Sequence, residues 1–185
     1  MIVDPNILRA CASGDRRAQN ELYRLCYSPL MSVCMRYKND RDDAAGMLNV
    51  GFLKILQNIE KYDSSTPFVA WIKRIMINTL IDDYRKKKKD QIIEHRDFNE
   101  PQFDIDGIDF NQADKEFDAD QIRAIINELP EMTLKVFNLY AIDGYSHKEI
   151  AEMLGMSDGT SKWHLNNARQ KIKKQLKMKL GIARD

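Results

Sequence analysis

The sequence is poor in glycine and proline and shows almost no alternation of apolar and polar residues. Among 185 residues there are 8 Gly and 5 Pro, and strands would require a repeat of two along the chain. These absences exclude a protein built mainly of sheet and predict an all-α fold. No apolar run approaches the ~18 residues of a membrane span, and the amino terminus lacks the basic-then-apolar layout of a signal peptide. We therefore expect no membrane insertion and a cytoplasmic location.

Signatures of catalysis and of metal binding are also missing. Cys11, Cys26 and Cys34 are odd in number and share no close metal-ligand spacing, which favours buried free thiols on helices over a zinc site. Neither the GxxxxGK phosphate loop nor the HExxH zinc motif occurs. Asp82 and Asp83 could suggest a metal nuclease, but adjacent helical residues point about 100° apart, which favours simple surface charges. We expect no enzyme, no catalytic residue, no metal and no cofactor.

The near-neutral composition conceals three segments of different charge. The 29 Lys and Arg balance 28 Asp and Glu. Residues 90–120, however, hold eleven acids against two bases, and residues 160–184 hold eight bases and no acid. Such an acidic stretch is typical of a linker, and 43% apolar residues suffice for two small cores. The predicted organisation is a helical domain over 1–89, an acidic extended linker over 90–120 and a second helical domain over 121–185.

Apolar periodicity predicts the helices of the first domain. It indicates helices within residues 4–38, broken at Ser13-Gly14-Asp15 and at Ser28-Pro29, and further helices over 42–59 and 68–88. The last of these has an apolar side and a largely polar side. The apolar side carries Ile72, Ile75, Met76, Thr79 and Leu80, and the other side carries Arg74, Asn78, Ile81, Asp82 and Arg85.

A basic tail and an aromatic loop flank this long helix. The run RKKKK, residues 85–89, can neutralise phosphates. Tyr62, Phe68 and Trp71 surround a Ser/Thr/Pro loop and could stack on an unpaired base. The alternative is that Phe68 and Trp71 simply belong to the core. Together with the polar stripe, the tail and loop favour a nucleic-acid face.

The sequence of residues 146–175 predicts two helices joined by a tight turn, which is the arrangement of a helix-turn-helix motif. Ser146 and Glu149 form a capping box, and Gly155 suits the close of the first helix. The second helix should pack inward through Ser161, Leu165, Ala168 and Ile172. Its opposite face can contact base edges and phosphates through Thr160, Lys162, Trp163, Asn166, Asn167, Gln170, Lys171 and Lys174. The alternatives are a solvated surface helix and a Trp163 that packs on a protein.

Two segments in this order make the chain similar to a known family. PFVAWIKRIMINTLIDDYRKKKK and LPEMTLKVFNLYAIDGYSHKEIAEMLGMSDGTSKWHLNNARQKI resemble the DNA-binding segments of extracytoplasmic-function (ECF) sigma factors of bacterial RNA polymerase, in the sigma-70 family. The resemblance covers roughly residues 10–176. Within the family, the segment GTSKWHL resembles the corresponding segment of members from the Bacteroidetes group.

The resemblance implies a fold and a role for each segment. Residues 1–89 would be a sigma region 2 helical bundle, and residues 121–185 a sigma region 4 helix-turn-helix. Reading and melting of the minus-ten element would involve Tyr62, Ser64, Ser65, Phe68, Trp71, Arg74, Asn78, Asp82 and Arg85. Recognition of the minus-thirty-five element would involve Thr160, Lys162, Trp163, Asn166, Asn167 and Lys171. Polymerase binding would involve Leu48, Asn49, Phe52, Ile55 and Leu56.

The implied partners are the clamp and flap of core RNA polymerase, promoter DNA, and an anti-sigma protein or another recruiting factor. The acidic linker would occupy the positively charged polymerase cleft as a mimic of nucleic acid. The chain would thus direct promoter-specific transcription initiation without chemistry of its own.

One stretch departs from the family pattern. Gly46, Asn49 and Val50 stand where the helix that docks on the polymerase clamp usually carries polar and acidic groups. This predicts weaker polymerase binding, strengthened by acids restored at Gly46 and Val50. It also keeps an alternative open, namely a helix-turn-helix regulator, or a divergent sigma factor recruited mainly through another DNA-bound protein.

Overall fold

The computed structural model describes residues 3–38, 40–90 and 119–179. All regular structure in these ranges is helical, which confirms the all-α prediction. The α-helices are α1 (Pro5–Ala12), α2 (Arg16–Tyr37), α3 (Arg41–Gln57), α4 (Phe68–Asp90), α5 (Ala119–Asn127), α6 (Glu131–Phe137), α7 (His147–Leu154) and α8 (Asp158–Lys179). A 3-10 turn spans Ile59–Lys61 and a π-helix spans Asn138–Ile142.

The chain divides into two compact units, Met1–Ile93 and Glu94–Asp185. Most of the predicted acidic linker, residues 91–118, lies outside the described residues. None of the helices that the structure describes is both long and apolar enough to cross a membrane.

The first two helices begin at aspartate caps. The Asp4 carboxylate accepts a hydrogen bond from the Asn6 amide, and the Asp15 carboxylate accepts from the next helix's first amides. Gly14, with φ at +86°, makes the turn between α1 and α2. The predicted break at residues 13–15 is therefore confirmed.

The predicted break at Ser28-Pro29 is wrong, because α2 runs through Pro29 without interruption. Proline inside a helix removes one backbone hydrogen bond and costs about 3 kcal/mol. Apolar side chains on both sides of Pro29 offset this cost by burial in the core. They are Leu22, Cys26, Leu30, Val33 and Cys34.

The core of the first unit lies between α2, α3 and α4. Leu30, Leu48, Ile55, Ile72 and Met76 have no solvent exposure. Because α4 packs on both α2 and α3, it buries a wide stripe of its surface. Ile81, which the sequence pattern assigned to the polar side, is buried for this reason.

The second unit packs α6 and α7 against α8. The capping box at the start of α7 is present, since the Ser146 side chain accepts from the Glu149 amide and the Glu149 carboxylate accepts from the Ser146 amide. Gly155 closes α7 in the left-handed conformation. The predicted inward face of α8 is confirmed, because its members are all buried: Ser161, Leu165, Ala168 and Ile172.

Candidate nucleic-acid interfaces

The outer side of α4 carries a line of exposed polar and charged residues. Arg74, Asn78, Asp82 and Arg85 are all exposed, and their spacing of three to four residues keeps them on one face of the helix. The Lys54 ammonium donates to the Asp82 carboxylate at 3.3 Å. This ion pair connects the polar face of α4 to α3. The side chains of Arg74 and Arg85, at the two ends of that face, are exposed to solvent.

The adjacent Asp83 belongs to a different cluster. Lys38 donates to its carboxylate at 2.6 Å and Lys87 lies at 3.5 Å. Partial burial acts to raise the pKa of Asp83, but the hydrogen bond and charge of Lys38, with a smaller contribution from Lys87, lower it overall. Asp82 and Asp83 thus contact different lysines.

Three aromatic rings pack together where the loop meets α4. The Tyr62 ring lies edge-on to Phe68 at 5.1 Å and 5.2 Å from Trp71. Phe68 is buried, as the core interpretation predicted, whereas Tyr62 and Trp71 keep part of their surface in solvent. The Tyr62 hydroxyl donates to the Thr66 carbonyl at 2.8 Å, and the Ser65 amide donates to Asp63 at 3.0 Å. These bonds shape the loop.

A cavity of about 740 Å³ opens between α1 and this loop. Its walls include Leu8 and Arg9 from α1, and Tyr62, Ser64 and Phe68 from the loop side. This volume is within the range of small-molecule sites. The largely apolar walls also carry one guanidinium, one carboxylate and two hydroxyls, from Arg9, Glu60, Tyr62 and Ser64. Such walls suit a planar ring with polar edges. The sequence pattern missed the contribution of α1, because no local signal links residues 8 and 9 to the loop.

The predicted contact residues of α8 lie on its surface. Lys162 and Lys171 are exposed, and the remaining members keep part of their surface in solvent: Thr160, Trp163, Asn166 and Asn167. Lys162 pairs with Asp158 at 2.6 Å. The Trp163 ring lies edge-on to His164 at 4.9 Å, which holds the indole against its own helix.

A sequence model of the ECF sigma factors matches residues 5–178 of this chain. The chain belongs to the ECF sigma factor family. The sequence-based prediction of an ECF sigma factor of RNA polymerase is therefore confirmed at the level of the family.

Named relatives extend over most of this sigma factor. The RNA polymerase sigma factor SigZ of Bacillus subtilis is 29% identical over 161 residues, covering 84% of this chain and 85% of SigZ. The ECF RNA polymerase sigma factor SigW of the same organism is 26% identical, covering 92% of this chain and 95% of SigW. In the co-crystal structure of the sigma factor RpoE with the anti-sigma factor NepR from Bartonella quintana, a chain is 18% identical. The alignment covers 89% of the present chain and 98% of that chain, with a TM-score of 0.49.

The residues predicted to bind polymerase occupy two different environments on α3. Leu48, Phe52 and Ile55 are buried in the core, so their side chains fix the position of α3. Leu56 is partly exposed, and the exposed Asn49 accepts a hydrogen bond from the Tyr23 hydroxyl at 2.9 Å. The exposed apolar side chains of this sigma factor's α3 are Val50, at 48%, and Leu53, at 55%. Of these two, the sequence analysis missed Leu53.

Two histidines outside the predicted site anchor α8 to its neighbours. His147 Nδ1 lies 2.9 Å from Ser161 Oγ, and the His147 ring stacks on Tyr140 at 4.4 Å. His164 Nδ1 lies 3.0 Å from Thr133 Oγ1 in the interior. Burial lowers the pKa of both imidazoles. Both partners are distant along the chain, so no local pattern could reveal these bonds.

Proposed function

We propose that this ECF sigma factor binds core RNA polymerase and directs it to promoters through two DNA faces, one in each unit. The loop and α4 hold the opened minus-ten strand, and α8 reads the minus-thirty-five element in the major groove. The protein supplies recognition and strand opening and no chemistry of its own.

The arrangement of α8 supports this function most directly. One side of α8 is buried in the core, and the other side carries Asn166, Asn167 and Trp163, which are all partly exposed. Asparagine amides pair well with adenine edges, and apolar rings contact thymine methyl groups. Lys162 and Lys171 are exposed beside these groups and can contact phosphates. The helix therefore offers both base-reading and phosphate-holding groups.

The loop cavity supports the proposed minus-ten role, because it could accept an unpaired base. An unpaired base that leaves the stack needs a ring-sized space and an aromatic surface. The cavity beside Tyr62, Ser64 and Phe68 offers this space, and Ser65 closes the same loop. Trp71 supplies a stacking surface, while the exposed line on α4 supplies guanidinium groups for phosphates and an amide at Asn78.

A promoter selection tests this function. The chain would be titrated into core polymerase by fluorescence anisotropy, and the assembled enzyme would select templates from a random-promoter library. We expect tight binding and two enriched motifs at fixed spacing. Replacing Asn166 and Asn167 by Ala should erase preference at minus thirty-five and leave minus ten, and Asn78→Ala should do the reverse.

Each base contact contributes about 1–3 kcal/mol of discrimination, so these effects should be about fivefold or larger. Lys177→Ala, on the exposed end of α8, is the matched control and should preserve both motifs. Failure of the unaltered chain to bind core polymerase would refute the proposed function.

A second candidate is a helix-turn-helix regulator or a sigma factor recruited mainly through another DNA-bound protein. The exposed surface of α3 favours it, since Gly46, Asn49 and Val50 provide no acid for the clamp. Tight core binding without initiation, restored by a cell extract, would support recruitment. DNA binding without any core binding would support the stand-alone regulator.

Four finer assignments complete this proposal. The acidic segment over residues 90–120 would follow the positively charged polymerase cleft, and the protein would act in the cytoplasm together with polymerase. An anti-sigma protein or a recruiting factor would control it. A Bacteroidetes-type origin follows from the wording GTSKWHL. A phylogeny that placed the chain outside that group would contradict the last assignment.

A further inference from the structure

A cluster of arginines on α2 is not among the residues assigned to DNA or polymerase, although the adjacent Tyr23 donates to Asn49 of the polymerase set. Its three guanidinium groups belong to exposed side chains and form no ion pair within the part of the chain that the structure describes. They line an open depression of about 700 Å³ whose walls are Arg16, Arg17, Asn20, Glu21, Arg24 and Leu25. The depression therefore contains three cations, one amide and one carboxylate.

The first two arginines stand where a cation costs helix stability. The start of a helix carries partial positive charge and favours acids, yet the first turn of α2 contains no acid. The nearby Asp15 carboxylate is engaged by the backbone amides of Arg17 and Ala18 at 2.8 and 2.9 Å. Helix formation alone thus gives no reason for these positive charges.

The start of α3 provides a contrast within the same unit. Arg41 also occupies the first helical position, but Asp42 and Asp43 follow in the same turn and Asp40 caps the helix. The charge of Arg41 is therefore balanced locally. The three arginines of α2 share only the Glu21 carboxylate within their depression, and this excess of positive charge indicates that further counter-charge comes from a partner.

The geometry of the cluster points to phosphates. Arg16, Asn20 and Arg24 follow one another at intervals of four residues, so they lie along one face over roughly 12 Å. One strand of DNA carries about three phosphates over that length. Guanidinium groups bind phosphate oxygens with two hydrogen bonds, and the Asn20 amide can donate to another.

Five of the six side chains that line the depression are polar or charged, which favours DNA over a protein partner. Leu25, at 41% exposure, is the one apolar side chain in the wall of the depression. Protein interfaces require a larger apolar centre, whereas interfaces with DNA are strongly positive and polar. We propose that Arg16, Arg17 and Arg24 form a further DNA-binding surface that holds the phosphate backbone without reading sequence. DNA as the occupant rests on the proposed function.

The test measures salt-dependent DNA binding by the full chain and by its complex with core polymerase. The probes are fluorescently labelled duplexes of random sequence and of the selected promoter sequence. Combined replacement of Arg16, Arg17 and Arg24 by Ala should weaken binding to both probes by the same factor, about tenfold or more. On duplex DNA, each lost phosphate contact should reduce the magnitude of the slope of log affinity against log salt by about 0.9, so the loss of three contacts should reduce it by about 2.7.

Two further variants sharpen the test. Arg41→Ala, the locally balanced arginine, should change neither affinity nor slope. Glu21→Gln removes the one carboxylate in the depression and should tighten DNA binding. The triple variant should keep its helix content by circular dichroism, because loss of cations from the first turn of α2 does not disfavour the helix.

An unchanged slope in the triple variant would overturn the assignment, and so would a loss of core-polymerase affinity with DNA affinity intact. Failure of the proposed function has a different signature, namely an unaltered chain that binds no core polymerase or shows no sequence preference. The random-sequence probe still measures the arginine surface in that case.

Discussion

Single side chains fix the orientation of α8 through contacts that its local sequence does not reveal. His147 and His164 attach α8 to the helices beneath it through Ser161 and Thr133, and the two bonds join residues 14 and 31 positions apart. Each imidazole is held in a partly or fully buried site where the neutral form is favoured. The orientation of the predicted base-reading groups therefore depends on two titratable groups.

The stability of the second unit should fall as the pH drops below about 6.5. Burial lowers the pKa of His164 from its ordinary value of 6.5, so the unfolded chain takes up the proton more readily than the folded chain. The contribution of His164 is complete above pH 6.5 and is lost as the pH falls through the folded-state pKa. Thermal unfolding followed by circular dichroism at a series of pH values measures this loss.

His164→Gln keeps a hydrogen-bonding group near Thr133 but cannot titrate, so its melting temperature should depend less on pH. His147→Gln should act in the same direction, because burial and the nearby Lys162 and Arg169 lower that pKa, although Asp158 opposes the shift. Parallel pH curves for the unaltered chain and His164→Gln would contradict the expectation.

At the scale of helices, close approach and exposed faces determine the first unit. A Cβ added at Gly51 on α3 would overlap the Met76 side chain on α4, whereas a Cβ at Gly46 meets nothing within 4 Å. Gly51 therefore allows α3 and α4 to pack closely, and Gly46 has no packing role. Both residues are glycines in one helix, so sequence alone could not separate them.

Gly51→Ala should be less stable than Gly46→Ala by about 1–3 kcal/mol, since the thioether end of the fully buried Met76 must move to make room. Gly46→Ala is the matched control and should stabilise the protein by about 0.5–1 kcal/mol through the lower helix propensity of glycine. Denaturant unfolding of both variants tests the pair. Equal stabilities would contradict the close approach of α3 and α4.

Acids restored at Gly46 and Val50 should strengthen binding to core polymerase. Both positions are exposed, so Gly46→Glu and Val50→Glu can be combined without disturbing the core. Titration of the double variant into core polymerase by anisotropy measures the gain. Ala124→Glu, which adds an acid at an exposed position of α5, should leave affinity unchanged, and an unchanged double variant would refute the expectation.

Local patterns predicted the elements better than they predicted the breaks. The capping box at Ser146 and the inward face of α8 depend on neighbours three or four residues apart, and both are confirmed. Pro29 and Ile81 were misassigned because packing against distant helices overrides local preference. The same limit applies to the α1 wall of the loop cavity, which depends on contacts across the first unit.

At the scale of the whole molecule, all three cysteines are buried. Cys11, Cys26 and Cys34 are buried free thiols on helices, as the sequence predicted. Burial raises the pKa of Cys26 to about 12 and that of Cys34 to about 11, and it also raises the pKa of Cys11. Reactive thiolate is therefore scarce near neutral pH.

A chromogenic disulfide reagent should find no fast-reacting thiol in the native chain. All three thiols should react once the protein is unfolded in denaturant, because the barrier is burial. Stopped-flow absorbance compares the two rates, with free cysteine as the reference. One thiol that reacts as fast as free cysteine in the native chain would contradict this expectation.

The two tryptophans give the chain a built-in pair of optical probes. Trp71 belongs to the first unit and Trp163 to the second, and each indole is partly exposed beside residues assigned to DNA. Replacing either one by Phe leaves a single tryptophan. The arrival of minus-ten and minus-thirty-five DNA can then be timed as two separate quenching signals, without any attached dye.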